Sequence, residues 1–258
     1  MNLNVIQQMQ VLRGVYGNED TVTMRTLLSD RRRILGLFLC LPILLSVNCS
    51  PSAEELRERQ LLHDRFVDVI LNSPEKWNET RKGIAHPSLS GLYLKDAVLQ
   101  GLDLSGVDLT GARIENVHFI DCNLNHLITE ETIFSGVRIE RSEIAVLKLR
   151  RSTVAEDSFF IDSNVRDLMV LGTGRLENVT FVNCDLSSIL FSSAVIRNVT
   201  IVNSTLRGGT IALLDEVTNL VIKDSDITGL KYRAYQPGAD IHIINSHPCS
   251  GPWIQFCE

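Results

Sequence analysis

From Leu94 onward an apolar residue recurs at every fifth position, a spacing that fits neither the 3.6-residue period of an α-helix nor the two-residue period of a β-strand. A second, usually smaller residue stands two positions before each of these central residues, and polar residues fill the positions between. The longest unbroken series of central residues is Leu94, Leu99, Leu104, Leu109, Ile114, Phe119, Leu124, Thr129, Phe134, Ile139, Ile144, Leu149 and Val154. The chain must therefore repeat a short structural unit that is neither a regular helix nor a long strand.

A second period, of about twenty residues, is superimposed on the first. The similar octapeptides VHFIDCNL, VRIERSEI, SFFIDSNV, VTFVNCDL, VTIVNSTL and LVIKDSDI begin at residues 117, 137, 158, 179, 199 and 220. Four five-residue units in one coil would produce this longer period. Because some starts differ by 21 rather than 20, single-residue insertions are predicted near residues 155–157, 171–175 and 212–216.

Stacked coils explain both periods. A single coil cannot bury its few inward side chains, but coils stacked ~4.8 Å apart build continuous apolar and hydrogen-bond ladders. Gly101, Gly106, Gly111 and Gly136 each fall two residues after a central residue, where a corner calls for positive φ. A leucine-rich repeat lacks the internal five-residue period, and a wide triangular β-helix explains only the longer one.

Four segments carry a family resemblance: LDLSG at 102–106, VDLTG at 107–111, CNLNH at 122–126 and CDLSS at 184–188. They resemble the consensus A-(D/N)-L-x-x of the pentapeptide-repeat family, and the resemblance extends over residues 89–230. It implies an all-β fold, a right-handed quadrilateral β-helix whose central residues, and those two before them, point inward. Val, Leu, Ser or Thr often replaces the consensus Ala, so coils wider or less regular than the family norm are expected.

Both ends of such a solenoid need a cap, because unpaired strand edges invite association. Residues 50–88 are predicted to form a helical N-terminal cap and linker, with an amphipathic α-helix over 52–72. Ser52 and Glu55 make a capping box at its start. Its apolar side is predicted to contain Leu56, Leu62, Phe66, Val69 and Ile70. Residues 231–258 are predicted to be an irregular C-terminal cap.

Residues 1–49 are predicted to be a signal region. Arg31 to Arg33 precede the apolar run from Ile34 to Leu45, which is shorter than the ~20 residues needed to span a bilayer. Cys49 then follows a short polar segment, an order that resembles a bacterial lipoprotein signal. The resemblance implies export, a lipid on Cys49 and an anchor in the cell envelope; ordinary cleavage and an uncleaved anchor are the alternatives. Met24 offers a conventional start, so residues 1–23 are expected to be an over-extended reading frame or a disordered tail.

The charge of the chain argues against nucleic acid as a direct partner. The chain has 25 basic and 31 acidic side chains, of which five arginines and three acidic residues lie in residues 1–49. Residues 50–258 therefore carry 20 basic and 28 acidic side chains, a net charge of −8. A surface of this sign repels phosphate backbones.

The six cysteines form no CxxC pair and are interpreted singly. Cys122 and Cys184 occupy the inward position two before a central residue, three coils or ~14 Å apart, and are predicted to fill the core. Cys249 and Cys257 are predicted to form a disulfide in an exported protein, with two free thiols as the alternative.

One outward series is more apolar than its surroundings. Ile120, Ile161, Val182 and Val202 each follow a central residue of the octapeptide series, and together they predict a contact strip. Such a strip would bind a protein partner or a second copy of the chain in a homodimer. Incidental β-propensity is the alternative explanation.

No catalytic residue, metal site or cofactor is predicted, because the sequence lacks HExxH, GxxxxGK[ST] and GxSxG motifs. The predicted function is a non-enzymatic envelope lipoprotein whose β-helix is a rigid binding or scaffold surface for an unknown protein partner. The alternative is a cytoplasmic DNA mimic that binds DNA gyrase, an activity the family resemblance implies for cytoplasmic members and an export signal opposes. A carbohydrate-active β-helix enzyme is the third hypothesis.

Overall fold

The structure, a computed structural model, describes residues 52–212, 214–233, 239–248 and 257. The predicted signal region 1–49, with Cys49, and Cys249 lie outside the described residues. By their internal contacts, the described residues from 58 onward form one compact unit, to which residues 52–57 do not belong.

The described chain begins with helix α1, Ala53–Asn72. The predicted capping box is confirmed: the Ser52 N–H donates to Glu55 Oε2 at 2.7 Å, and the Glu55 N–H donates to Ser52 Oγ at 3.1 Å. A 3-10 turn, Pro74–Lys76, and the short helix α2, Trp77–Thr80, follow.

Only the C-terminal half of the predicted apolar side of α1 is buried. Phe66, Val69 and Ile70 belong to the hydrophobic core. Leu56 and Leu62 are 52% and 37% exposed, so the prediction is wrong for these two residues. The first turns of α1 are highly charged, with the sequence AEELRER, which leaves no continuous apolar stripe to bury there.

The repeats form a parallel β-solenoid of about seven coils with four faces, numbered here in chain order. Face 1 consists of β1 (Tyr93–Lys95), β3 (Arg113–Glu115), β5 (Ile133–Ser135), β8 (Val154–Glu156), β11 (Arg175–Glu177) and the first residues of β14 (Val195–Val202) and β16 (Glu216–Lys223). Face 2 consists of β2 (Val98–Gln100), β4 (His118–Ile120), β6 (Arg138–Glu140), β9 (Phe159–Ile161), β12 (Thr180–Val182), the last residues of β14 and β16, and β18 (Ile241–Ile244).

The other two faces pair less extensively. Face 3 is a series of isolated parallel bridges that joins Asp103, Asn123, Glu143, Asn164, Asp185, Thr205, Asp226 and His247. Face 4 begins with bridges between Ser88, Asp108 and Ile128. It continues as β7 (Lys148–Leu149), β10 (Met169–Leu171), β13 (Leu190–Ser192), β15 (Thr210–Ala212) and β17 (Lys231–Arg233).

Each strand pairs with the strand one coil away, so central residues stack on central residues. Leu94 pairs with Ile114, and Leu99 pairs with Phe119, both at a separation of 20 residues. The predicted corner glycines Gly101, Gly106, Gly111 and Gly136 have φ values of 66°, 67°, 67° and 63°. At most other corners the same left-handed conformation falls on Asn, Asp or Ser, residue types that tolerate it better than most.

The interior of the solenoid is filled as the five-residue pattern predicts. Phe181 is 0% exposed and stacks on Phe160 of the preceding coil, with ring centroids 4.7 Å apart. Thr129, the one polar central residue in the first series, is buried and donates its hydroxyl to the Lys148 carbonyl at 2.8 Å. Burial of each Leu, Ile or Phe contributes roughly 1.5–3 kcal/mol, which makes these ladders the main source of stability.

One part of the predicted register is wrong. Ala155 rather than Val154 is central, since Ala155 is 2% exposed and pairs with Phe134, while Val154 is half-buried on the outer surface. The extra residue lies at Arg151 and Ser152, two consecutive left-handed residues with φ of 50° and 65°, and not at 155–157. The other two insertions lie in the predicted ranges 171–175 and 212–216, because Val170 and Leu176, and likewise Ile211 and Val217, are buried central residues six positions apart.

The solenoid also extends into residues 231–258, which were predicted to be irregular. Strand β17 pairs with β15, strand β18 pairs with β16, and Cys257 forms a bridge with Ile243. The irregular-cap prediction is therefore wrong for residues 231–233 and 241–244. Cys257 is disulfide-bonded, but Cys249 lies outside the described residues, so the pairing of these two cysteines stays a prediction.

A column of small polar residues lies inside face 3. Cys122 and Cys184 are both free and 3% exposed, and Ser142 and Ser163 occupy the two coils between them. The Cys122 N–H donates to Ser142 Oγ at 3.0 Å, and the Ser142 N–H donates to Ser163 Oγ at 3.2 Å. Both cysteines fill the core as predicted.

Side chains of residues 77–81, which follow the helix predicted to form the cap, close the first coil. The buried Trp77 donates its indole N–H to the Asp103 carbonyl at 2.7 Å. Asn78 donates to the Gly101 carbonyl at 2.9 Å and accepts from the Asp103 N–H at 2.7 Å. Arg81 donates to the Ser105 carbonyl at 2.9 Å. These bonds replace the coil that would otherwise pair with this edge.

Candidate interaction surface

The solenoid brings all four predicted contact-strip residues into one column on face 2. Successive pairings place Ile120 beside Glu140, Glu140 beside Ile161, Ile161 beside Val182, and Val182 beside Val202. The column continues through Lys223 to Ile244. Each member directly follows a buried central residue along its strand, so its side chain points outward. Neighbouring members are separated by one inter-strand spacing of ~4.8 Å. The contact strip is thus a straight line of side chains on a flat sheet.

A second outward column runs beside the contact strip, one residue before the central position. The largest side chain of this second column is Phe159, which is 45% exposed. Phe159 pairs with Thr180, and the column continues through Thr200 to Val221. The sequence analysis missed Phe159, although the two consecutive phenylalanines in SFFIDSNV signal that one ring must face outward. Together the two columns form an uncharged patch over three coils, from Phe159 and Ile161 to Thr200 and Val202.

Charged residues lie at both ends of this patch. On one side Glu140 forms ion pairs with Arg138 at 3.3 Å, with His118 at 3.2 Å and with Arg141. Partial desolvation opposes the charged form of Glu140, but bonds from these bases outweigh it and lower its pKa. On the other side Lys223 lies 4.0 Å from Asp224. The patch therefore has an acidic residue of the contact strip at one end and a basic one at the other.

Asparagine ladders form the corners on either side of the patch. Asn203 donates its side-chain amide to Asn183 at 2.7 Å, and Asn183 donates to Asp162 at 2.8 Å. On the opposite corner Asn198 donates to Asn178 at 2.9 Å. These bonds hold the corner side chains along the solenoid. Asparagine keeps both corners uncharged beside Val182 and Val202, whereas Asp157 and Asp162 flank Phe159 and Ile161.

Faces 1 and 3 are more polar and more fully paired, whereas face 4 has outward apolar residues of its own, Met169, Leu171 and Leu190. On face 1, Arg197 bridges Glu177 at 2.9 Å and Glu216 at 2.6 Å, and its hydrogen bond lowers the pKa of Glu216. On face 3 the Thr228 hydroxyl and N–H, together with Arg207, lower the pKa of Asp226 to about 2. Their acidic groups are thus held by neighbours on the same chain.

The described residues contain no group of three or more His, Cys, Asp or Glu side chains that could hold a metal ion. An apolar cavity of about 40 Å³ lies inside the first coils, between Ile70 and Phe160, and is too small for a metabolite. Within the described ranges, none of the helices has both the length and the apolar character needed to cross a bilayer.

Comparison with known proteins supports the repeat assignment. Residues 88–125 match the family model described as pentapeptide repeats, in 8 copies, which confirms the predicted repeats over that segment. No curated protein is significantly similar to the chain in sequence.

Two solved structures illustrate the structural likeness. Full-length QnrB1, a plasmid-mediated fluoroquinolone resistance protein, is 10% identical, with 58% of this chain and 93% of that chain covered and a TM-score of 0.25. HetL, a pentapeptide repeat protein involved in heterocyst differentiation regulation in the cyanobacterium Nostoc sp., is 15% identical, with 64% and 87% covered and a TM-score of 0.22. TM-scores this low do not establish a common fold, and the β-solenoid is assigned here from the strand register of this chain.

Proposed function

We propose that this pentapeptide-repeat solenoid is a non-enzymatic lipoprotein of the bacterial cell envelope, and that face 2 is its rigid binding surface for a protein partner. The observation that carries the binding role is the register of face 2, which places Ile161, Val182 and Val202 in adjacent strands of one column. Phe159 enlarges the same patch, which is flat and uncharged in its centre. A contiguous apolar patch that reaches the surface, with Phe159 exposed and Ile161, Val182 and Val202 half-buried, is typical of a contact site.

The envelope location rests on the N-terminal sequence. A basic cluster, an apolar run of the length of a signal-peptide core and Cys49 follow one another within residues 31–49. The proposed lipid on Cys49 would hold the solenoid beside the membrane.

Metabolic labelling with a radioactive fatty acid tests the anchor. We expect the wild-type chain to be labelled and to fractionate with membranes, and the Cys49→Ala variant to be unlabelled. Cys40→Ala is the matched control, because Cys40 lies inside the apolar run and should not affect labelling. A full-length, unlabelled product in the cytoplasm would overturn the proposal and favour the DNA-mimic alternative.

The charge distribution supports that alternative only in part. Residues 50–258 carry a net charge of −8, as a mimic of duplex DNA requires. Glu177, Glu216 and Asp226, however, are paired with arginines of this chain, which weakens their attraction for a basic partner.

Affinity capture from intact envelopes tests the binding surface. Val182→Lys with Val202→Lys places two charges in the centre of the patch, and we expect these changes to abolish capture of the partner. The matched control is Thr218→Lys, an exposed change on face 1. Equal capture by both variants would exclude face 2 as the binding surface.

A further inference from the structure

We propose that face 2 binds a second copy of this chain, face to face and antiparallel, about a two-fold axis that passes through the level of Val182. The inference rests on the proposed binding role of face 2 and names its partner. It follows from the order of residues along the contact strip and from their charges.

The segment of this column from Ile120 to Ile244, seven residues called here the extended strip, is complementary to its own reverse, and Gln100, which precedes Ile120 in the column, lies beyond the overlap. The order of the extended strip along the solenoid is Ile120, Glu140, Ile161, Val182, Val202, Lys223 and Ile244. Glu140 lies two coils before Val182, and Lys223 lies two coils after it. An antiparallel copy centred on Val182 therefore places Glu140 opposite Lys223 of the partner subunit. The symmetry repeats this acid–base contact at the other end.

The same two-fold rotation pairs the other residues of the extended strip. Ile161 lies opposite Val202 of the partner subunit, Ile120 lies opposite Ile244 of the partner subunit, and Val182 lies against its own copy. A shift of one coil in either direction would place both Glu140 and Lys223 against aliphatic residues, where neither gains an ion pair from the partner to offset its loss of water. The two charges thus select a single antiparallel register.

Lys223 is suited to this role because its only ion pair among the described residues is the 4.0 Å contact with Asp224. Its side chain is 50% exposed, so a facing copy can reach it. Glu140 is held in place by Arg138, Arg141 and His118, and a partner lysine adds a further base to a fixed carboxylate.

The expected dimer is weak. Seven levels at ~4.8 Å and two side-chain columns cover roughly 300–400 Å² per copy, about half of the ~800 Å² per partner that a stable interface of standard size buries. Association should therefore depend on concentration. An anchor that confines the chains to a membrane raises their effective concentration and favours such a contact.

Cysteine cross-linking in envelopes tests the geometry with the full chain. In the antiparallel dimer Val182 meets its own copy at the two-fold axis, so Val182→Cys alone should be captured as a dimer by a short bis-maleimide. The native Cys122 and Cys184 are buried and should not react. Thr218→Cys on face 1 is the matched control. A dimer yield no higher than that of the control overturns the proposal. A cross-linked dimer that forms only when Thr180→Cys and Val182→Cys chains are mixed also overturns the proposal, because it requires the two solenoids to lie parallel.

Charge reversal provides an independent test. Two differently tagged full-length chains are co-expressed, and pull-down of one tag reports the other. E140K with itself, and K223E with itself, should each reduce co-purification at least about tenfold, whereas E140K paired with K223E should restore it, because every junction again joins an acid to a base. Thermal unfolding of each variant shows whether it folds. If the mixed pair co-purifies no better than each variant with itself, the register is wrong.

These outcomes separate the two proposals. A chain that is lipid-labelled but monomeric in both tests keeps the envelope assignment and refutes the dimer. A chain that dimerises as described but carries no lipid keeps the dimer and refutes the anchor.

Discussion

Trp77 donates its indole N–H to the main-chain carbonyl of Asp103 at 2.7 Å, so a side chain of the short helix α2 completes the hydrogen bonding of the first coil. Phe66 of α1 packs against the same ring, with centroids 5.4 Å apart. The cap is therefore an aromatic cluster joined to the solenoid edge by hydrogen bonds. Without it the first coil would present carbonyls and apolar side chains to water.

We expect Trp77→Ala to lower the free energy of unfolding by about 3–5 kcal/mol, because it removes a fully buried aromatic side chain and a hydrogen bond. Asn78→Ala should cost about 1–2 kcal/mol through its two bonds to the coil backbone. Denaturant unfolding followed by circular dichroism measures both. Glu79→Ala, an exposed change in the same helix, should stay within about 0.5 kcal/mol, and a comparable loss there would contradict the capping role.

Substitution of Gly106 and of Gly111 allows the cost of backbone strain to be distinguished from the cost of steric crowding, because both residues have φ of 67°. A Cβ on Gly111 meets no atom within 4 Å, whereas a Cβ on Gly106 would lie 2.7 Å from the Ala85 carbonyl oxygen. We expect Gly111→Ala to destabilise the fold by about 1–2 kcal/mol, the cost of a left-handed non-glycine residue. Gly106→Ala should cost clearly more, since Ala85 must move. Equal thermal unfolding midpoints for the two variants would contradict this comparison.

The five-residue period was enough to predict the stacked coils, because each central residue is buried by the same residue one coil away. The five-residue period failed at Val154 and Ala155, because both residues are apolar and the pattern allows either one to be the central residue. The structure selects Ala155, since it lies between Phe134 and Leu176 in adjacent coils and a small side chain suits that space. The coil that decides the choice is about twenty residues away, so no local pattern could reveal it.

The ends of the solenoid were harder to predict for a different reason. Residues 73–88 contain no repeat and were interpreted as a linker, yet Trp77 and Arg81 bond directly to the first coil. A tryptophan in a short polar segment just before the repeats was the available signal. At the other end Tyr232 replaces the usual aliphatic residue, although it pairs with Ile211 in register.

Substitutions at Phe181 and Thr180 compare the stability contributed by an inward and an outward side chain of the same strand. Phe181→Ala removes a fully buried ring that stacks on Phe160, and we expect a loss of about 3–5 kcal/mol in the free energy of unfolding. Thr180→Ala, one residue earlier, changes an outward side chain of the same strand and should cost less than about 1 kcal/mol. Similar losses for the two variants would mean that the register of β12 is wrong.

Cys184 should make stability depend on alkaline pH. Burial raises the pKa of its thiol to about 11, because the interior of face 3 disfavours the thiolate. In the unfolded chain the thiol has an ordinary pKa near ~8.5. The folded state therefore binds the proton more tightly, and this contribution is complete below pH ~8.5 and is lost as the pH rises towards 11.

We expect Cys184→Ser to match the wild type within about 1 kcal/mol at neutral pH, because the serines of the same column already occupy this environment: Ser204 donates to the Val202 carbonyl at 2.8 Å. Between pH 8 and 11 the variant should lose less stability than the wild type, since a serine does not titrate there. Urea unfolding across this range measures the difference, and the remaining lysines, tyrosines and Cys122 are common to both proteins. Parallel pH profiles for the two proteins would show that the Cys184 thiol is not protected by burial.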